Sequence, residues 1–546
     1  MDASAIGDLL RDLSFGYALL GDKRRPWAFR NGADVVKKLG ADLPAALASG
    51  DLAAMRGVGK SIVTVVSAGL EGREIAAWDK LLQDVPATLL RARKVRGLGP
   101  GKTRVLWRQL GLTSLAEIEY ACHENRLVDL KGFGPSSQAR ILGALEAMRD
   151  RSTRMRLDRA WKLANAAIAN LEKNGGVEAV HVVGELARAC ETVTEVELAI
   201  LCNSATILPK EDVCYHTCNN PAAFGPFLLR HRGAADHVDQ VRDHAASEGF
   251  ELRDDGLFRD GSLLDLPTDD AVYSELGLHT PAHERREGDV PLRADDEAPE
   301  DLVARDDLKG ALHNHTRESD GLHTLEQMRD AAAERGLSYL GISDHSITAM
   351  YAGGLSAMRL ATQKSKIDAL NADGSPCLLL SGVESDILSD GKLDYLDEVL
   401  DTLDVVVASV HNRQQQGHDK MTARMVTAAN HRHGDILGHP TGRLLLGREA
   451  SPMDMPAVLD ACAASATAVE LNANPQRLDL CREHLQMAKQ RGLKVSIAAD
   501  AHAMAGLDNL DHGVRAARRA GLSRTDVLNC LDVDELRAWV ARRRNV

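Results

Sequence analysis

Between residues 310 and 500 the chain repeats one pattern, in which a short apolar run ends on a polar or charged residue and a stretch with helical spacing follows. The runs are Gly310-Ala-Leu312, Tyr339-Leu-Gly-Ile342, Leu378-Leu-Leu-Ser-Gly-Val383, Val405-Val-Val-Ala408, Ile436-Leu437, Ala468-Val-Glu-Leu471 and Val495-Ser-Ile-Ala498. Such short runs, several rich in β-branched residues, predict strands alternating with helices. Strands joined by helical crossovers run parallel, so their C-terminal ends all face one rim of a barrel. The first 154 residues pattern differently. Apolar positions at helical spacing predict helices at 6–20, 28–39 (Phe29, Val35, Val36 and Leu39) and 51–55. The pattern therefore predicts a multidomain chain, with an all-α region at 1–154 and a β/α barrel at 305–546.

The residues that end the runs carry chemistry. In order they are His313, His315, Asp320, His345, Glu384, His411, His439, Asp500 and His502. His313 and His315 stand at i and i+2, which in extended chain turns both rings to one side. One such pair is as readily a surface accident as a ligand pair, whereas nine donors on successive strand ends converge on one rim. A single ion takes four to six ligands, so the set suits two or three divalent ions. Histidine-rich ligation with a carboxylate suits Mn, Zn or Fe better than Mg.

These nine residues, with Ser-Asp-Gly at 319–321, Gly-His-Pro-Thr-Gly-Arg at 438–443 and Asp-Ala-His at 500–502, resemble the PHP family of metal-dependent phosphoesterases. The resemblance implies a distorted seven-stranded β/α barrel around three metal ions. It implies one ion on His313, His315, Glu384 and Asp500, with Glu384 bridging to a second on His411 and His439, and a third on Asp320, His345 and His502. Glu384 and Asp500 are then the central catalytic carboxylates. Arg443, in the loop after His439, is the candidate phosphate clamp, with Arg413 and Arg477 as weaker candidates.

A second repeat lies near the N-terminus. Met55-Arg-Gly-Val-Gly-Lys, Val95-Arg-Gly-Leu-Gly-Pro-Gly-Lys and Leu130-Lys-Gly-Phe-Gly-Pro each place two glycines (Gly57 and Gly59, Gly97 and Gly99, Gly132 and Gly134) ahead of a predicted helix. Such a turn exposes amide N–H groups at a helix N-terminus, where unpaired donors and the helix dipole favour a phosphate. Lys60, Lys102 and Lys131 add positive charge beside it. One copy is an ordinary glycine turn; three resemble helix-hairpin-helix motifs, which grip the DNA backbone without reading its sequence. Their order resembles the lyase-like and thumb-side helical domains of family X DNA polymerases, whose bacterial members end in a PHP domain. That resemblance divides the helical region into a lyase-like domain at 1–80 and a domain with two hairpins at 81–154, and implies that 155–295 is a central α+β region, a nucleotidyltransferase-like palm with a thumb-like part.

The chain departs from that family at the polymerase chemistry. Glu185 stands where the phosphate-binding Ser belongs, Glu195 and Glu197 replace the two metal-binding Asp residues, and Val213–Thr217 holds no carboxylate for the third. Mg²⁺ tolerates little departure from octahedral geometry, so this palm is expected to be inactive. The Schiff-base lysine of the lyase relatives falls at Val65, which leaves Lys60 as the nearest amine and lyase chemistry unexpected.

Charge sharpens the division. The net charge is −13, but residues 1–154 hold 24 Lys and Arg against 17 Asp and Glu, a net of +7, leaving 42 against 62, or −20, for the rest. A basic arm beside an acidic, metal-neutralised body suits a DNA-binding module that feeds an active site. The nine cysteines form no Cys-x-x-Cys pair, which argues against a zinc knuckle or a disulfide framework. Met1–Leu10 lacks the pattern of a signal peptide, and no apolar run approaches the ~20 residues of a membrane helix. The expectation is a cytoplasmic, metal-dependent DNA phosphoesterase, a 3′–5′ exonuclease or 3′-end-processing enzyme of DNA repair. Three alternatives stay open: a phosphatase of the histidinol-phosphate type, a non-catalytic DNA-binding scaffold, and a family X polymerase with weak residual activity.

Overall fold

The computed structural model describes residues 1–128, 130–149, 154–173, 176–203, 212–414 and 416–545. It divides into two compact units, Met1–Arg151 and Ser152–Val546.

The first unit is helical, with α1 (Ala3–Leu19), α2 (Arg25–Leu39), α3 (Lys60–Leu70), α4 (Pro100–Leu110) and α5 (Pro135–Arg149) as its longer elements. One apolar core runs through it, from Ile6, Leu10 and Leu13 of α1 through Val36 and Ile62 to Leu106 and Ile141. The division expected near residue 80 does not interrupt this packing. The first glycines of the three turns share one conformation. Gly57, Gly97 and Gly132 have φ of 89°, 103° and 90°, a region that favours glycine. The apolar residue between each glycine pair returns its N–H three residues back, Val58 to Met55 at 3.1 Å, Leu98 to Val95 at 3.1 Å and Phe133 to Leu130 at 2.9 Å. A helix begins directly after the second glycine, and Gly59 and Gly99 supply no side-chain cap to its first amides. Lys60 and Lys131 are exposed. Lys102 instead links the second turn to the third, donating to the Ser137 hydroxyl and lying 4.7 Å from the centre of the Phe133 ring. Val65 is buried in the core.

The second unit begins with a helix at Leu157–Leu171 and a sheet of β1 (Val177–Val183), β2 (Glu197–Cys202) and β3 (Cys214–Cys218), in which β1 and β2 are antiparallel and β3 runs parallel to β2. An antiparallel ribbon follows, formed by β4 (Phe250–Arg253), β5 (Gly256–Arg259) and β6 (Ser262–Leu263).

The seven predicted runs then form one parallel sheet in sequence order: β7 (Gly310–Ala311), β8 (Tyr339–Ile342), β9 (Leu378–Asp386), β10 (Val405–Ser409), β11 (Ile436–Leu437), β12 (Ala468–Asn472) and β13 (Val495–Ala498). Every residue of β10 is buried, as expected of a parallel strand covered on both faces. The edge strands β7 and β13 share no ladder, but their extensions meet at the Asn314–Ala501 bridge. Asn529 completes the seam: its carboxamide donates to the carbonyls of Gly310 and Ile497, both at 2.9 Å, and accepts from the Ile497 N–H at 2.7 Å. The result is a nearly closed barrel. A C-terminal helix, Val533–Arg543, packs Leu536, Trp539 and Val540 against Leu312, Tyr339, Val407 and Ile436 in its interior. Among the described residues no helix is long and apolar enough to cross a membrane.

Candidate metal centre

The C-terminal ends of the barrel strands bring the nine predicted donors together. His313 and His315 follow β7, Asp320 lies in the next loop, His345 follows β8 and Glu384 sits within β9. His411 and His439 follow β10 and β11, and Asp500 and His502 follow β13. Glu384 is the hub. Its Oε1 lies 3.4 Å from His313 Nε2, 3.1 Å from His411 Nε2 and 3.0 Å from His439 Nε2, and its Oε2 lies 2.9 Å from His345 Nδ1. Asp500 Oδ1 is 3.2 Å from His315 Nε2 and 3.7 Å from His313 Nε2. Asp320 reaches His345 Nε2 at 3.3 Å and His502 Nε2 at 3.4 Å.

Three groups of donors could each hold a metal ion: His315, Asp320, His345 and His502; His313, His315 and Asp500; and His345, Glu384 and His411. The grouping differs in detail from the expected one. His315 belongs to two groups and His345 stands against both Asp320 and Glu384, because these rings lie at the middle of the cluster, 4.6 Å apart. His439 joins through its contact with Glu384.

Sequence reasoning missed the residues that hold the donors. Glu470 lies 2.7 Å from His313 Nδ1 and also accepts from the His439 N–H at 3.1 Å, while Asn472 donates to both Glu470 and Asp500 at 3.0 Å. Asp386 lies 2.9 Å from His411 Nδ1. Asp344 accepts from the N–H and hydroxyl of Thr316 and from Ser319, tying down the loop that carries Asp320. A partial signal existed: Glu384 and Asp386, like Glu470 and Asn472, are i, i+2 pairs that share one side of a strand.

Burial opposes every charge here, and the neighbours decide its direction. His411, His313 and His345 together hold the Glu384 carboxyl well below its ordinary range despite its burial. Burial likewise opposes the charge on Asp320 and Asp500, but His345 and His502 for the first, and His313 and His315 chiefly for the second, keep both low. Against the same burial penalty, Glu470, Glu384 and Asp500 lift His313 well up, and Glu384 with Asp386 lifts His411 to about 9. His315 moves down, through its burial and through His502 and His345. Among the described residues, both ring nitrogens of His315, Nε2 of His313 and Nδ1 of His439 have no hydrogen-bond partner although they are buried. Buried polar atoms are ordinarily satisfied, and divalent cations in the two groups that share His315 would satisfy its ring nitrogens and Nε2 of His313. The donor set fits divalent ions. Two of its members, His439 and Asp500, have φ of 23° and 48°, strained for non-glycine residues, as is frequent where side chains are held for chemistry.

The arginines part company with expectation. Arg443 is engaged elsewhere: its guanidinium lies 2.8 Å from Glu191 and donates to the carbonyls of Arg477, at 3.0 Å, and Leu478. With its side chain only 15% exposed, it is not placed to clamp a phosphate. Arg477 is buried and Arg413 is exposed. The three glutamates expected at the polymerase positions have partners of their own or face solvent. Glu185 accepts from Arg154 at 2.8 Å and from the Thr194 N–H at 2.6 Å, Glu195 is exposed, and Glu197 pairs with His216 at 2.9 Å.

Comparison with known proteins places the chain. No protein-family model matches it. The DNA polymerase/3′-5′ exonuclease PolX of Bacillus subtilis is 30% identical over 521 residues, which cover 90% of this chain and 91% of that protein. The chain belongs to the bacterial PolX family. Shorter relatives of this PolX chain include a probable phosphatase of Thermoanaerobacter sp., 24% identical over 256 residues (43% of this chain, 97% of that protein). A probable phosphatase of Edwardsiella ictaluri is 28% identical over 231 residues, 40% of this chain and 88% of that protein.

Proposed function

We propose that this PolX-family chain is a metal-dependent phosphodiesterase that hydrolyses DNA from a 3′ end at the barrel rim, and that residues 155–295 are a palm scaffold without nucleotidyl transfer. The observation that carries the reading is Glu384 at the centre of a buried histidine cluster, with Asp320 and Asp500 on its flanks. Two or three ions of Mn, Zn or Fe fit the donors, held by His313, His315, Asp320, His345, Glu384, His411, His439, Asp500 and His502. When bound, such ions lower the pKa of a water and neutralise charge on the phosphoryl oxygens. The chain supplies orientation. Glu470 and Asp386 stand at Nδ1 of His313 and His411, which leaves each Nε2 directed at Glu384.

The three glycine turns, with Lys60, Lys102 and Lys131 beside them, are assigned to backbone contacts with DNA, independent of sequence. The name of the B. subtilis relative, which couples polymerase with 3′-5′ exonuclease, supports a DNA substrate. Against polymerisation stand the paired Glu185 and Glu197 and the sequence Cys214-Tyr-His-Thr-Cys218 of β3, which carries no carboxylate. The probable phosphatases among the relatives favour a second reading, a small-molecule phosphatase. The test is release of a 3′ label from duplex DNA beside release of phosphate from histidinol phosphate, in Mn²⁺ and in chelator. Metal-dependent label release supports the proposal; phosphate release without label release supports the second reading.

A further inference from the structure

The loop after His439 is tied to distant parts of the chain. Its backbone N–H groups at Thr441 and Gly442 donate to Asp479, at 3.1 and 2.9 Å, and Leu445 N–H donates to the Gln476 carbonyl at 2.7 Å. The loop is thereby laced to the segment after β12, whose Asn472 holds Glu470 and Asp500. Arg443 closes the arrangement, since its Nε donates to the Arg477 carbonyl and its Nη2 both donates to the Leu478 carbonyl and lies 2.8 Å from Glu191.

Glu191 belongs to the region of residues 155–202, in the turn before Thr192–Val193, and its carbonyl accepts from the Leu157 N–H at 3.3 Å. The contact is apolar as well. Leu445 and Leu478, one from each laced loop, pack with Leu157, Leu186 and Val193 of that region. Both loops that run from the metal cluster therefore rest on the same small core.

We propose that Arg443 is a positioning residue of the metal centre and that Glu191 is its anchor, so that the palm-like region braces the loop bearing His439 against the cluster. This rests on the metal-centre reading above. A planar guanidinium with donors on several edges can satisfy a carboxylate and two carbonyls at once, which a Lys ammonium does less well. The brace also gives the region a role that needs none of the polymerase carboxylates.

The experiment is Co²⁺ titration of the full-length, metal-stripped protein, read by visible absorption, together with kcat and KM for 3′-label release. Relative to wild type, Arg443→Ala and Glu191→Gln are expected each to weaken the last Co²⁺ to bind by about tenfold, the usual scale for residues that orient ligands. Their effects should not fully add in the double variant, because both remove the contact between Arg443 and Glu191. Label release should fall in kcat with KM little changed. Arg443→Lys should recover part of the affinity. Arg515→Ala removes another contact between this region and the barrel, the Arg515 guanidinium 4.2 Å from the centre of the Trp161 ring. It should lower the melting temperature and leave the Co²⁺ titration unchanged. If Arg443→Ala does not fold, Glu191→Gln alone decides, since it keeps the carbonyl contacts of Arg443. Wild-type Co²⁺ affinity in Glu191→Gln, or an equal loss in Arg515→Ala, overturns the brace. A wild-type protein that binds no Co²⁺ would overturn the metal-centre reading itself.

Discussion

In the barrel, Glu384 meets ring nitrogens of His313, His345, His411 and His439 within 3.4 Å, whereas in the region of residues 177–218 three glutamates each have a separate companion. Glu185 is held by Arg154, Glu191 by Arg443 and Glu197 by His216. Both regions use the same residue types. The difference lies in convergence: strands of a parallel barrel deliver their ends to one point, while a small open sheet leaves its glutamates beside separate neighbours. A carboxylate paired with an arginine has little left to offer an ion, and one shared among several histidines has much.

The strongest way to break this comparison is to remove its hub. Glu384→Ala should reduce hydrolysis by several orders of magnitude with little change in DNA affinity, while Glu197→Ala should leave label release unchanged. Primer extension by the wild type that disappears in Glu197→Ala would erase the contrast. A smaller effect is expected around the hub. Asp386→Asn and Glu470→Gln should each weaken metal binding or activity by about 10- to 100-fold, since each acts through a histidine it orients. Atomic absorption of the purified variants would show the loss directly.

Smaller again is the contribution of single lysines in the helical unit. Lys60→Glu and Lys131→Glu, both exposed, should weaken binding to all DNA sequences alike and flatten the salt dependence by about one counterion each. Lys102→Glu should also lower stability, because its amine joins Ser137 and Phe133. Fluorescence anisotropy across a salt series separates these effects.

The smallest expected effect concerns acid. Burial pushes His231, His237 and His283 down to about 4, with His216 next for His231, Arg286 next for the other two, and Arg232 also acting on His283. Their folded pKa values lie below the unfolded value near 6.5, so the unfolded chain takes up protons first. Stability from these groups is full above about pH 6.5 and declines as pH falls toward 4. His237→Gln should shift this part of the melting curve by a few degrees, and a melting temperature flat over that window would contradict it.

Much of the barrel was legible because its signals are local. A short apolar run followed by a helical stretch announces a strand at each of the seven places where β7 to β13 lie, and the polar residues that follow mark the rim. The glycine turns were equally plain, since positive φ at Gly57, Gly97 and Gly132 selects glycine residue by residue. Partner choice was not legible. Asp386 and Glu470 were not singled out beside the histidines they hold, and Arg443 read as a phosphate clamp from its place after His439. The sequence by itself determined the order of the elements, the donors and the turns, through propensities and spacings that act over a few residues. Only the tertiary structure decided that His315 and His345 each stand between two donor groups, that Asn529 joins the barrel's edge strands, and that Glu191 claims Arg443. These pairings depend on how segments remote in the chain pack, and no short-range pattern encodes that distance.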